Sequence, residues 1–279
     1  DGQDGADGTN GNNGTDTQRA PLDLFEANLE GADLVLMDLR DANLSYANLR
    51  YANLAYADLN YADLRYANLA YAHLRYANLS FADLTNVNLS NVDLGGADLR
   101  YANLSFAYLS FAYLGGANLS YANLSFAYLA YADLSNADLT GANLNYVHAI
   151  NLQGCPTVLP TNWQCVENNL VGPYAYLAYA YLAYADLSNA DLSNADLTGA
   201  NLSGANLRYA DLSSAHLRYA DLSRAYLSNA NLSNADLSGA NLYFADLSGA
   251  QLASVNWDNT ICPDATNSDD NGNTCEYNL

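Results

Sequence analysis

The chain has 279 residues, 51 % of them hydrophobic, and a net charge of −21 from 30 acidic and nine basic side chains, all nine of them arginine. Such an acidic chain lacks the basic patches that a binder of phosphate backbones requires, so direct nucleic-acid binding is not expected. Its apolar residues are mostly Ala, Leu and Tyr in short interrupted runs, none long enough to span a membrane.

The first 19 residues place Gly2, Gly5, Gly8, Gly11 and Gly14 at every third position. That is collagen-like spacing, but without proline and over so few steps it does not predict a triple helix. Residues 1–19 read as a Gly-rich arm, either flexible or docked on a neighbouring subunit. The chain begins at Asp1 with no signal-like segment, which reads as a processed mature form.

Residues 20–149 repeat a five-residue unit, A-[D/N]-L-x-x, through 25 central leucines from Leu24 to Leu144. A period of five fits neither a helix nor a plain strand. A short extended piece followed by a tight corner fits it, and four such sides close a square coil of about 20 residues that stacks on the next at about 4.8 Å. Leu and the Ala two residues before it then point inward, while Asp or Asn and both x residues point out. Asp and Asn suit this slot because they hydrogen-bond to backbone at turns. The slot before Ala is aromatic in eight consecutive units, Tyr46, Tyr51, Tyr56, Tyr61, Tyr66, Tyr71, Tyr76 and Phe81. Residues 20 apart share a column, so Tyr61, Phe81, Tyr101 and Tyr121 form one ladder. Tyr46 and Tyr66 begin another, interrupted at Asn86 and resumed at Phe106, Phe126 and Tyr146. Tyr108 and Tyr128 add a pair in the Asp/Asn slot. The column of Tyr56 and Tyr76 passes to Gly96 and Gly116. At the N-terminal end, Leu22 and Met37 replace Ala and fill a wider opening.

Residues 150–173 break the period and contain Cys155 and Cys165, which read as a disulfide stapling a plug or side loop. Residues 174–257 resume the repeat with 16 leucines from Leu177 to Leu252, and Trp257 falls in the next Leu slot as an aromatic cap. Columns here alternate, as in Tyr179, Gly199, Tyr219 and Gly239. Residues 258–279 hold Cys262 and Cys275, a second local pair that closes the C-terminal cap. Neither pair has the spacing or the histidine of a zinc site, and disulfides place the chain in an oxidising compartment, extracellular or at a cell surface. Asn267, Asp269 and Asn271, followed by Gly272, match part of a calcium loop. Asn278 stands where a bidentate Glu belongs, so the segment offers at most a weak structural calcium site; no other cofactor is expected.

Catalytic patterns do not emerge. His73, His148 and His216 are far apart, serine fills x slots without a nucleophile motif, and paired carboxylates follow automatically from the repeat. The sequons are likewise by-products of A-N-L-S units.

The stretch YANLAYADLNYADLRYANL at 51–69 closely resembles the pentapeptide-repeat family, and the resemblance covers both arrays. It implies an all-β chain folded as a right-handed quadrilateral β-helix, here of about ten coils in two segments. The 150–173 insert is similar to inserts in other secreted-looking members. The family also includes acidic rods that mimic duplex DNA and block topoisomerases. The expected function is a non-enzymatic secreted structural protein. It self-assembles through its ends, its N-terminal arm and its aromatic surface into a filament, sheath or surface layer. The partner is then the chain itself, with a cell-surface polymer as a further candidate. The alternatives are a DNA-mimicking topoisomerase inhibitor and a glycan-binding adhesin with an aromatic surface.

Overall fold

The computed structural model describes residues 20–276, so the arm at 1–19 and the position of Asn278 lie outside the described residues. The unit around Leu44 shows how five residues make one side of a coil. The Ala47 amide donates to the Leu44 carbonyl at 3.0 Å, closing a four-residue turn whose third residue, Tyr46, has φ 61°. A positive φ in that position is the mark of a type II turn. Before the turn, Asn43 donates to Leu22 of the preceding coil at 2.9 Å, and Leu44 donates to Asp63 of the following coil at 2.7 Å.

Each side therefore contributes one parallel bridge rather than a long strand. Asp23, Asn43, Asp63, Asp83 and Asn103 are joined in this way, each 20 residues from the next. The side chains reinforce the bridges. The Ser45 amide and hydroxyl both donate to Asn43 Oδ1, at 3.2 and 2.6 Å, while Asn43 Nδ2 donates to Asp23 Oδ1 at 2.9 Å. Asp and Asn thus brace the turn within a coil and tie coil to coil. Leu and Ala fill the interior, and nearly all of them from Leu39 to Leu144 are fully buried.

The insert does more than decorate the rod. Gly154 and Val158 bridge to Asp133 and Asp138, so residues after 150 still lay down part of a coil. The chain then turns back in a hairpin, β1 (Gln164–Val166) antiparallel to β2 (Asn169–Val171), and the Cys155–Cys165 disulfide ties the two parts together. Leu170 ends the first buried core and Val171 begins the second, with Trp163 packed against both. Tyr176 donates to the Val147 carbonyl at 3.1 Å, which joins the second array onto the first. The insert is a splice that contributes a rung of its own.

The two ends differ. At the N-terminal end, Leu22, Leu24, Leu29 and Leu34 are only partly buried and Met37 is 41 % exposed. One coil further on, the amides of Asn43, Asn48 and Asn53 donate to the preceding rung; those of Asp23, Asn28 and Asp33 find no acceptor among the described residues. At the C-terminal end Trp257 is buried, and Cys262 and Cys275 form a buried disulfide beneath a short 3₁₀ turn, Ser268–Asn271. Thr260 pins this cap to the last coils, its hydroxyl donating to the Leu237 carbonyl at 2.8 Å.

Candidate interaction surface

The aromatic rings occupy the left-handed corner of the turn. Tyr46, Tyr51, Tyr56, Tyr61, Tyr66, Tyr71, Tyr76, Phe81, Tyr101 and Tyr121 all have φ between 58° and 62°. Glycine and asparagine take this conformation cheaply, whereas other L-residues pay about 1–2 kcal/mol. Something must offset that cost, and stacking does. Tyr46 lies on Tyr66 with ring centroids 4.9 Å apart and planes 12° from parallel. Tyr51 stacks on Tyr71 and Tyr56 on Tyr76, each pair at 5.2 Å. The four-membered ladder is continuous, with Tyr61–Phe81, Phe81–Tyr101 and Tyr101–Tyr121 at 4.9, 4.9 and 5.1 Å. Each contact supplies about 0.5–1.5 kcal/mol, comparable to the corner strain.

The interrupted column also stacks where the sequence resumes it, Phe106–Phe126 at 4.8 Å and Phe126–Tyr146 at 4.6 Å. Tyr108 and Tyr128 pair at 5.3 Å, and Phe111–Tyr131 is a further stack at 5.0 Å that the column reading did not single out. Where a tyrosine is followed by glycine 20 residues on, the ring folds down instead. An added Cβ on Gly199 would lie 2.7 Å from Tyr179 Cε1, and one on Gly239 would lie 2.5 Å from Tyr219 Cδ1. The alternation of Tyr and Gly in the second array is therefore steric: Tyr179, Tyr184 and Tyr219 each rest on a bare rung.

Stacking has a consequence for recognition. A ring inside a ladder spends both faces on its neighbours and shows solvent only its edge. Faces come free outside the ladders, on second-array rings such as Tyr179 and Tyr184 and at the splice between the arrays. His148 stands edge-on to Tyr128 at 78° and to Tyr176 at 69°, and Tyr174 stands at 61° to Tyr146. There a recess of about 390 Å³ is lined by Phe106, Phe126, Tyr128, Tyr146, His148 and Tyr176. No formally charged side chain lines it, and burial lowers the His148 pKa, favouring the neutral imidazole.

Elsewhere the surface is acidic, and Arg40, Arg65, Arg75, Arg100 and Arg218 each pair with a nearby carboxylate. Arg65 sits 2.6 Å from Asp63 and 3.7 Å from Asp83, and its hydrogen bond holds the Asp63 carboxyl below the usual range. His73 and His216 occupy bridge positions in two separate columns. Asn267 Oδ1 accepts from the Asp269 amide at 2.9 Å, Asp269 Oδ1 accepts from the Asn259 amide at 2.8 Å, and Asn271 donates to Thr266 Oγ1 at 2.7 Å. These three residues thus brace the cap turn. Among the described residues, no group of three or more His, Cys, Asp and Glu side chains is placed to hold a metal.

These features define a repeat solenoid with a stapled splice, one closed end, and rings ordered along its sides. The model for pentapeptide repeats matches eight copies between residues 23 and 256, over 23–145 and again over 175–256. The chain belongs to the pentapeptide-repeat family, and with it to the right-handed quadrilateral β-helices. HetL of Nostoc sp. strain PCC 7120, a pentapeptide-repeat protein involved in heterocyst differentiation regulation, is 35 % identical over 85 % of this chain and 92 % of its own, with a TM-score of 0.41. Rfr23 of Cyanothece 51142 is 28 % identical over 49 % of this chain and 90 % of its own, with a TM-score of 0.32. QnrB1, a plasmid-mediated fluoroquinolone resistance protein, is 19 % identical over 67 % of this chain and 82 % of its own, with a TM-score of 0.29. No curated protein sequence matches.

Proposed function

We propose that this chain is a non-enzymatic structural protein of the extracellular space or cell surface that assembles with copies of itself into a filament, sheath or layer. One observation carries the reading: among the described residues, the N-terminal coil leaves its leucines only partly buried and the amides of Asp23, Asn28 and Asp33 without an acceptor. An uncovered solenoid end is a template for further pairing. Residues 1–19 contain Ala6 as their one hydrophobic residue. The exposed rings give the sides a second candidate adhesive surface. Two disulfides and no free cysteine among the described residues fit an oxidising compartment.

Sedimentation and electron microscopy of the full chain over a concentration series test this. Association that is weakened by Leu24→Asp at the open end supports it. A chain that stays monomeric at high concentration, with and without calcium, removes it.

A second reading draws on the splice recess, whose free ring faces and peripheral hydroxyls suit a neutral sugar ring. Binding of a soluble oligosaccharide that is lost in His148→Ala but kept in Tyr101→Ala would favour an adhesin that uses the recess rather than the ladders. Absence of any glycan binding rules that reading out.

A further inference from the structure

The ladders bring phenol groups of successive coils into face-to-face contact. Tyr46 and Tyr66 are 4.9 Å apart and 12° from parallel; Tyr51 and Tyr71 are 5.2 Å apart at 23°. All four rings are close to half exposed, so a diffusing oxidant reaches them, while stacking holds the two rings of each pair together. Fixed proximity of this kind converts a bimolecular encounter into a unimolecular one, with a large gain in effective concentration.

We infer that the stacked tyrosine pairs are oxidative modification sites, at which one-electron oxidation joins Tyr46 to Tyr66 and Tyr51 to Tyr71 by carbon–carbon bonds. The chemistry balances with a peroxide as terminal oxidant, acting through a haem-peroxidase-type catalyst. Each phenol gives up one electron and one proton to become a phenoxyl radical. The two radicals couple between the ring carbons ortho to their oxygens, and the two ring hydrogens shift as protons back to those oxygens, restoring both phenols. Two electrons and two protons pass to hydrogen peroxide, which leaves as two waters. The chain loses two hydrogens per bridge. Each bridge rivets one coil to the next at a corner, so it strengthens the rod whether or not the rod assembles.

The molecule contains its own controls. Phe81 separates Tyr61 from Tyr101, and a phenyl ring has no O–H to oxidise, so Tyr61 lacks a phenolic neighbour in its ladder. Tyr209 is followed 20 residues later by Asn229 and makes no ring contact among the described residues. Phe also shows that the ladder survives loss of the hydroxyl, since Phe106 and Phe126 stack as well as any tyrosine pair.

The test treats the full chain at high dilution with hydrogen peroxide and a haem peroxidase, then reads dityrosine fluorescence, intact mass and peptides cut at arginine. Tyr46 and Tyr66 fall in different peptides, 41–50 and 66–75, and Tyr51 in a third, 51–65. The expected result is a monomer that has lost pairs of hydrogens, with 66–75 joined to both other peptides. Tyr66→Phe should abolish the link to 41–50, leave the link to 51–65, and leave the circular dichroism unchanged. Three results would overturn the inference: no dityrosine, links formed mainly at Tyr61 or Tyr209, or a 41–50/66–75 link that persists in Tyr66→Phe.

Discussion

Gly141 offers a direct measure of what a ring resting on a bare rung contributes. Its φ is +63°, and a Cβ there would lie 2.7 Å from Tyr121 Cε1 and 2.8 Å from Cδ1. Gly116, in the same array, has φ +70° with nothing within 4 Å of the added atom. Gly116→Ala therefore carries only the backbone cost of a left-handed alanine, about 1–2 kcal/mol. Gly141→Ala carries that cost and must also lift the tyrosine, which can swing outward but loses its seat; the extra cost is about 1 kcal/mol, at the low end for overpacking because the ring is at the free end of its side chain. Urea unfolding of both variants at equal m gives the difference directly. A double-mutant cycle with Tyr121→Ala should recover most of that extra cost, because the clash partner is gone. Equal destabilisation by the two glycine substitutions, or no coupling to Tyr121, would refute the steric account of the Tyr–Gly alternation.

Three further outcomes follow from the same geometry. Tyr66→Asn relieves the corner strain and loses stacking, so its stability should stay within about 1 kcal/mol of the parent, whereas Tyr66→Ala keeps the strain without the stack and should cost more; thermal melts distinguish them. Replacing Cys262 and Cys275 together by serine opens a loop of 13 residues and should cost about 3 kcal/mol, with Trp257 fluorescence shifting to the red as the cap loosens. Asp138 is held below the usual carboxylate range by the Thr140 hydroxyl and then by the Thr140 amide, and Asp63 likewise by Arg65. Depressed folded-state values stabilise the rod above the ordinary carboxylate pKa and lose that contribution as the pH falls, so melting temperature should drop below about pH 4, and less so in Asp138→Asn. A flat acid limb would contradict this.

The parts of the molecule set by periodicity were legible in the residues. Leu44 and Ala47 declare an interior, Tyr61 and Phe81 a shared column, and Cys155 and Cys165 a local staple, because spacing alone carries each. What periodicity could not carry was backbone conformation. Nothing in the letter Tyr announces a left-handed corner; that comes from the turn closed by Leu44 and Ala47, which forces positive φ on its third residue. The splice was hidden for the opposite reason. Once the period breaks at 150, the pairing of Gly154 with Asp133 and Val158 with Asp138 leaves no sequence signature. The recess around His148 depends on that splice, and so was hidden with it. The residues at 267–271 also brace the cap turn, a use that their spacing alone does not announce.

The uniform corner makes the outside of this rod a lattice. Backbone and interior are held constant by Leu, Ala and the turn, so a corner residue interacts along its column with little beyond the residues 20 before and 20 after it. Beyond those two, a corner ring meets mainly a flanking arginine, as Tyr51 meets Arg50 and Tyr76 meets Arg75. The surface can therefore be rewritten one column at a time, into a row of rings, of carboxylates or of bare glycines, and the same rod can carry different chemistries on its four edges.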